Sequence, residues 1–389
     1  MKDTNTLIHS FNKHLKPDMQ KRKYEAMAKN KQSFYRGSCH LFYERLSHFG
    51  SPKDHSKAWL CGDLHLENFG TFKGNNRLVY FDINDFDEAL LAPISFDVLR
   101  FLTGVLISTE QLDCSQAEAQ KLMGFAFKRY CETIIAAKAL LIERDTAKGL
   151  MRNFFDQVRR RNREEFIAIH TTHKGKKLKL DQKHFRKLDG DRQHDLLEAL
   201  NDQFEKNYLL RELNILDCAV RIAGTGSIGA ERYALLTYHQ SNNKHYLLDM
   251  KEARPSSVVK HTSIKQPKWT NEANRIVACQ ERLQFCSPAL LSTLPLNQKW
   301  FVLKELQPKE DKMDFALCKG RLGRLEEVLL PMAELTAYAH LRASGRQGSS
   351  TADELAETVG SRKWQRHVFE LTDTLAKQVG KDYMDFMGR

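Results

Sequence analysis

Nowhere in the 389-residue chain is there a run of about 18 uncharged apolar residues, and the opening MKDTNTLIHS lacks the apolar stretch of a secretion signal. The expectation is a soluble cytoplasmic protein without membrane contact. The eight cysteines (Cys39, Cys61, Cys114, Cys131, Cys218, Cys279, Cys286 and Cys318) contain no C-x-x-C pair. That argues against a zinc ribbon or a secreted disulfide framework, so they read as reduced thiols, several of them in the core. Internal repeats and low-complexity tracts are also missing, which excludes solenoids and wholesale disorder. Acidic residues fall short of basic ones, 49 against 61, giving a formal charge of +12. Such an excess attracts nucleotides, phosphorylated metabolites, nucleic acid or acidic lipid without choosing among them. What is present, 41% apolar, 10% aromatic and 28% charged residues, is the composition of a folded chain of two or three structural units.

The first 50 or so residues read as helical and basic, with Phe34, Phe42, Tyr43 and Leu46 spaced for one buried face. A short strand, KAWLCG, follows. NFGTFKGNNRLVYFDIND then reads as a hairpin, because Gly74, Asn75 and Asn76 supply a turn between two β-favouring runs. Residues 94 to 215 are mostly helical in pattern. From about Asp217 three β-type runs alternate with turns, which puts a domain boundary near 215. A helix at 270 to 286, a strand at WFVLKEL, and helices at about 320 to 343 and 352 to 387 complete the expected elements.

Three constellations carry chemistry. The first joins Gly62-Asp63-Leu64-His65-Leu66-Glu67-Asn68 through the hairpin to Asp82-Ile83-Asn84-Asp85-Phe86-Asp87-Glu88. An Asp and an Asn five residues apart on a loop, brought beside a second acidic cluster, can supply one base and two oxygen ligands for Mg²⁺. Acids in loops commonly cap turns. Four of them side by side in a basic protein, however, repel one another unless a cation or a buried partner compensates, and a metal is the economical compensator. The second constellation is Gly224-Thr225-Gly226-Ser227-Ile228-Gly229, followed by a β-favouring run and so reading as a hairpin, not as the strand-to-helix turn of a dinucleotide fold. A glycine hairpin can expose backbone N–H groups to phosphates. The third is Lys251, ending an apolar strand where its ammonium can reach phosphate oxygens.

The basic segment 159 to 187 gathers Arg159, Arg160, Arg161, Arg163, Lys174, Lys176, Lys177, Lys179, Lys183, Arg186 and Lys187 against Glu164, Glu165 and Asp181. It reads as a solvated loop beside a helix. Its aromatics do not interleave with the charges, so nucleic acid is not the expected partner.

Asp63 to Asn68 resembles the catalytic loop of the protein-kinase-like superfamily, in the form found in aminoglycoside and choline kinases. Asp85-Phe86-Asp87 resembles the metal-binding D-F-G element, and Gly224 to Gly229 with Lys251 resembles the glycine loop and strand lysine of the small lobe. Closer still, Phe34-Tyr35-Arg36-Gly37, GDLHLENFG, FDINDFDEA, GTGSIG, KEA and Ala339 to Gly345, in this order over most of the chain, resemble the bacterial family named domain of unknown function 2252.

The resemblance implies an α+β, two-lobed kinase-like fold that is circularly permuted, since the glycine loop follows the catalytic loop. The small β-rich lobe would be 216 to 310. The large lobe would combine 1 to 215 with the helices of 311 to 389. Asp63 would be the catalytic base, Asn68 and either Asp85 or Asp82 the Mg²⁺ ligands, with Asp85 ranked first. Gly224, Gly226, Ser227, Gly229 and Lys251 would hold ATP phosphates, Glu281 (or Glu272) would pair with Lys251, and backbone near Glu305 and Leu306 would read adenine. Asp97 would brace the catalytic loop.

Two departures stand out: Cys61 occupies the place where a His often precedes this loop, and no long activation segment separates Asp87 from Pro93. The second points to a small-molecule acceptor. Rival readings are a nucleotide-binding protein without catalysis that docks an anionic partner through the basic segment, and a hydrolase whose transition metal is held by His65, Asp63 and Asp85 with Cys61.

Overall fold

A computed structural model describes residues 2–52, 56–172, 175–181, 184–308 and 312–388. The chain opens with four helices, α1 (Thr4–Asn12), α2 (Pro17–Ala28), α3 (Lys31–Gly37) and α4 (Cys39–Phe49). Asp3 and Asn30 cap α1 and α3 by accepting the N–H groups of Thr6 and Ser33. Four short strands follow: β1 (Lys57–Leu60), β2 (Phe69–Lys73), β3 (Val79–Ile83) and β4 (Leu90–Pro93). The expected β2–β3 hairpin is present, and β1 pairs antiparallel with β4. Then come α5 (Ser95–Glu110), α6 (Gln116–Ile135), α7 (Gly149–Arg160) and α8 (Arg163–His170), the two-residue strands β5 (Thr171–Thr172), β6 (Lys177–Leu178) and β7 (Phe185–Arg186), and α9 (Gly190–Lys206). The remainder is β8 (Leu213–Arg221), β9 (Arg232–His239), β10 (Lys244–Glu252), α10 (Glu272–Leu283), β11 (Ser292–Leu296), β12 (Lys299–Glu305), α11 (Leu322–Arg342), α12 (Ala352–Gly360) and α13 (Arg362–Phe386).

The architecture is mixed α+β. One antiparallel sheet has the order β11-β12-β10-β9-β8-β7. Its strands bury both faces by alternation: Tyr233, Leu235, Leu248 and Met250 meet Leu196, Leu200 and Phe204 of α9, while Ala234, Leu236 and Leu247 meet Ile167 of α8 and Leu306. The sheet-bearing unit therefore begins near residue 163, and the expected boundary near 215 falls inside β8. The cause is visible in α9, whose apolar residues recur every four positions and have no other surface to cover.

The largest core lies among α4, α5, α6, α11 and α13 and takes in β1 to β4. Helix α10 joins it to the sheet: Ile276, Cys279 and Leu283 belong to the helical core together with Val302 of β12. The two ends of the chain meet there, because Arg45 of α4 donates to Asp382 of α13 from Nε at 3.1 Å and Nη2 at 2.8 Å, both side chains buried. The single helix expected at 352 to 387 is two helices, α12 ending at Gly360 and Ser361 capping α13 through the N–H of Trp364. Among the described residues no helix is long and apolar enough to cross a membrane.

Candidate functional site

A cavity of about 1150 Å³ lies between the sheet and the loops that follow β1 and β3. Its walls include Asp63, His65, Asn68, Asp85, Asp87, the glycine turn between β8 and β9, and Lys251.

The loop carrying Asp63 is fixed from several sides. Asp97, at the start of α5, accepts the N–H groups of Cys61 and Gly62, each at 2.9 Å. The Tyr43 hydroxyl donates to the Gly62 carbonyl at 2.6 Å. Behind Asp97, His340 Nε2 lies 3.4 Å from its carboxylate, and the Tyr130 hydroxyl is 2.9 Å from His340 Nδ1. Gly62 has φ of +82°, and a Cβ there would stand 2.2 Å from the Glu88 carbonyl oxygen, so only glycine lets the two loops approach.

Asp63 Oδ1 accepts from Arg100 Nε at 3.0 Å and Nη2 at 2.6 Å. The Arg100 side chain is fully buried, 3.6 Å above the Tyr35 ring, and Nη2 also donates to the Tyr35 carbonyl. Burial opposes its charge, but Tyr35 and Asp63 outweigh that and its pKa is raised. Asp63 keeps 20% of its side chain exposed. No nitrogen or hydroxyl of the described residues donates to its Oδ2. Asn68 donates its Nδ2 to the Asp63 carbonyl at 2.5 Å, and its own carbonyl accepts the Asn84 N–H at 2.7 Å. These bonds tie the first acidic loop to the second.

Lys251, from β10, reaches this second loop across the cavity. Its Nζ is 3.5 Å from Asp85 and in contact with Asp87. Burial works against the Asp85 charge, yet Lys251 and Lys304 hold its carboxyl well below the usual range. Asp87 goes the other way, raised by burial and by Asp85. For Lys251, burial is again outweighed, by Asp85 and Asp87, and its pKa rises. Lys304 donates to the Asn84 carbonyl at 3.0 Å, and burial lowers its pKa. Glu88 is accepted into a third contact: it takes the Ser257 N–H at 2.6 Å and the Ser256 and Ser257 hydroxyls at 2.9 and 3.0 Å.

In the glycine turn, Ser227 Oγ donates to the Ala223 carbonyl. Among the described residues, the N–H groups of Gly224, Thr225, Gly226, Ser227 and Gly229 make no hydrogen bond within the protein. A Cβ on Gly226 would lie 3.2 Å from the Arg36 carbonyl oxygen, which measures how tightly α3 covers this turn.

Other expected site residues stand apart. Asp82 points away from the cavity: Oδ2 accepts from Arg342 Nη2 and the Phe285 N–H, both at 3.2 Å, and Oδ1 from its neighbour Ile83 at 2.9 Å. Glu281 is exposed on α10, and Glu272 pairs with Arg275. The residues of α10 that line the cavity are Ile276 and Gln280, the latter one position from Glu281, because each helical step turns the side chain by about 100°. Glu305 binds Arg77 at 2.8 and 3.0 Å. The Glu305 and Leu306 N–H groups are already spent on the Ala289 and Leu247 carbonyls, so they cannot read a base, although Leu306 lines the cavity. In the basic segment, Lys174 and Lys183 lie outside the described residues. Lys179 lines the cavity, and Arg163 stacks over the Tyr246 ring at 4.3 Å.

The sequence reading missed Arg100 as the partner of Asp63, although a lone arginine amid the apolar residues of FDVLRFLTGVL was a usable signal. It also left Phe34-Tyr35-Arg36-Gly37 and Ala339 to Gly345 without roles. Tyr35 underlies Arg100, Arg36 pairs with Glu67 at 2.7 Å, His340 backs Asp97, and Arg342 holds Asp82. Among the described residues, no group of three or more His, Cys, Asp or Glu converges as a metal centre. Cys61 is buried and its thiol is pushed well up by that burial.

A family model described as "Uncharacterized protein conserved in bacteria (DUF2252)" matches residues 15–389, and the chain belongs to that family. No curated protein and no solved structure matches it.

Proposed function

We propose that this member of the DUF2252 family is an ATP- and Mg²⁺-dependent phosphotransferase with a circularly permuted, two-lobed kinase-like fold, acting on a hydroxyl of a small molecule. The observation that carries the reading is the contact of Lys251 with Asp85 and Asp87, on the wall that also bears Asp63 and Asn68. An ammonium from one half of the cavity and an oxygen-rich cluster from the other are the two parts that phosphoryl transfer needs. The cavity is large enough for a nucleotide and an acceptor together.

The donor set fits a hard cation. Asp85 and the unused Oδ1 of Asn68 are oxygen ligands of the kind Mg²⁺ takes alongside phosphate oxygens. They would hold it, and the charge it would supply there offsets that of the phosphates. Lys251 would exchange its carboxylate partners for phosphate oxygens as the nucleotide enters. The free N–H groups of the glycine turn would bind the same phosphates. Leu306 and Val302 offer an apolar wall for a flat base. Asp63, held through Oδ1 by Arg100, keeps Oδ2 to accept the proton of the acceptor hydroxyl. The direct run from Asp87 into β4 leaves no segment on which a peptide could lie, which favours a small acceptor.

Permutation is supported by the chain order. The sheet-bearing residues sit in the middle of the sequence, and both ends pack together through Arg45 and Asp382.

The test is ATP turnover by wild type and Asp63→Asn over a panel of hydroxyl-bearing metabolites, with nucleotide affinity measured in parallel. Retained affinity with lost transfer is expected. Equal loss of both contradicts the role given to Asp63. ATP binding with no transfer to any acceptor would favour a non-catalytic nucleotide-binding protein.

A further inference from the structure

We propose that Lys23, carried by α2, forms with the glycine turn a second anion-binding subsite in the cavity, one that takes a phosphate group. Lys23 is 3% exposed, and among the described residues its Nζ makes one hydrogen bond, to the Gly226 carbonyl at 3.3 Å, and lies 5.7 Å from the centre of the Phe11 ring. No carboxylate of the described residues lies within 4.0 Å of it. An ammonium has three donors, so two are unused, and a buried unpaired charge is costly unless something supplies the counter-charge. Glu88, held by Ser256 and Ser257, and Asp63, held by Arg100, favour its charge only from beyond 4.0 Å. A counter-charge in contact with the ammonium can come from the cavity that Lys23 lines.

The surroundings are donors as well. His40 is 4% exposed and stacked on Phe11 at 3.7 Å, and its Nε2 is buried without a partner. Burial keeps its pKa well below the usual value, so the ring is neutral and can donate from Nε2. Arg254 grips the far end of the turn through the Gly229 carbonyl at 2.6 Å. With the carbonyls of Gly226 and Gly229 taken by cations, the free N–H groups of the same turn are left as donors suited to a multiply charged oxyanion. Burial draws Lys23 down to about 8, with Glu88 and Asp63 working against that and Arg254 with it. A bound phosphate would restore its charge.

This subsite shares the cavity of the proposed nucleotide site, but its test reads binding and not transfer. Tripolyphosphate, ATP and AMP are titrated into wild type and Lys23→Met, and inorganic phosphate is titrated into each after saturation with a non-hydrolysable ATP analogue. Lys23→Gln replaces the methionine variant if that does not fold. Loss of roughly tenfold or more for tripolyphosphate and ATP, with AMP unchanged, assigns the subsite to nucleotide phosphates. Loss confined to inorganic phosphate assigns it to a phosphate on the acceptor. Either supports the inference. Tripolyphosphate binding that needs Lys23 in a protein that does not bind ATP would keep this inference and end the phosphotransferase reading. Unchanged affinities in the variant, or no phosphate binding by wild type, overturn it.

Discussion

The wall of the cavity that carries Asp63 and the wall that carries the glycine turn hold their charged groups differently. On the first, Asp63 has Arg100, Arg100 has the Tyr35 ring and carbonyl, and the loop's N–H groups have Asp97. On the second, among the described residues, five N–H groups meet no acceptor and no carboxylate lies within 4.0 Å of Lys23. A wall whose charges are matched internally keeps its shape without a ligand. A wall of unmatched donors suits an anion. On the proposed function, the first side would position and the second would bind.

The comparison is most severely strained by Arg100→Met, which leaves Asp63 without its partner. A loss of about 3 kcal/mol in denaturant unfolding is expected, at the lower end for a broken buried pair because Asp63 is partly exposed. Gly62→Ala should follow, costing about 1–3 kcal/mol from the backbone conformation, with the contact at the Glu88 carbonyl adding to it. Asp82→Asn should cost about 1–2 kcal/mol by weakening the hold on Arg342, while leaving nucleotide affinity unchanged.

Asp85→Asn sharpens the contrast at the acidic wall. It removes a carboxylate whose charge Lys251 and Lys304 favour in the folded protein, so the melting temperature at neutral pH should fall, and calorimetry should show weaker Mg²⁺-dependent nucleotide binding.

The smallest effect concerns pH. The Lys23 pKa is lowered on folding from 10.5 to about 8, so between those values the unfolded chain holds a proton that the folded chain has shed. Stability without anion should then rise with pH across that window in wild type and not in Lys23→Met. Melting curves of both proteins from pH 7.5 upward check the sign.

Much of this frame was legible in the sequence wherever periodicity or turn chemistry was strong. The β2–β3 hairpin, β8 to β10 with their glycine turn, α10, β12 and α11 all carried such a signal. β4 did not, being four residues closed by Pro93, and β11 hid because Pro295 weakens a strand pattern. Structurally, β11 is an edge strand, where a proline costs no ladder bond. β5 to β7 are two residues each, too short to leave a period.

In the site, the loops after β1 and β3 and Lys251 were readable because unusual residues cluster there. Glu281 was not readable as exposed, since one residue of helical phase separates it from Gln280. Arg100 and Lys23 were hidden for a common reason. Their importance comes from which charges surround them in space, and α2, α5 and the Asp63 loop are joined only by folding.

The central claim is that Lys251 and the Asp63–Asp85 wall close on a triphosphate. Isothermal titration of ATP with Mg²⁺ into wild type and Lys251→Ala tests it most directly. The account predicts saturable binding by wild type that weakens at least tenfold in the variant. Absence of binding by wild type, or equal affinity in both proteins, would contradict it.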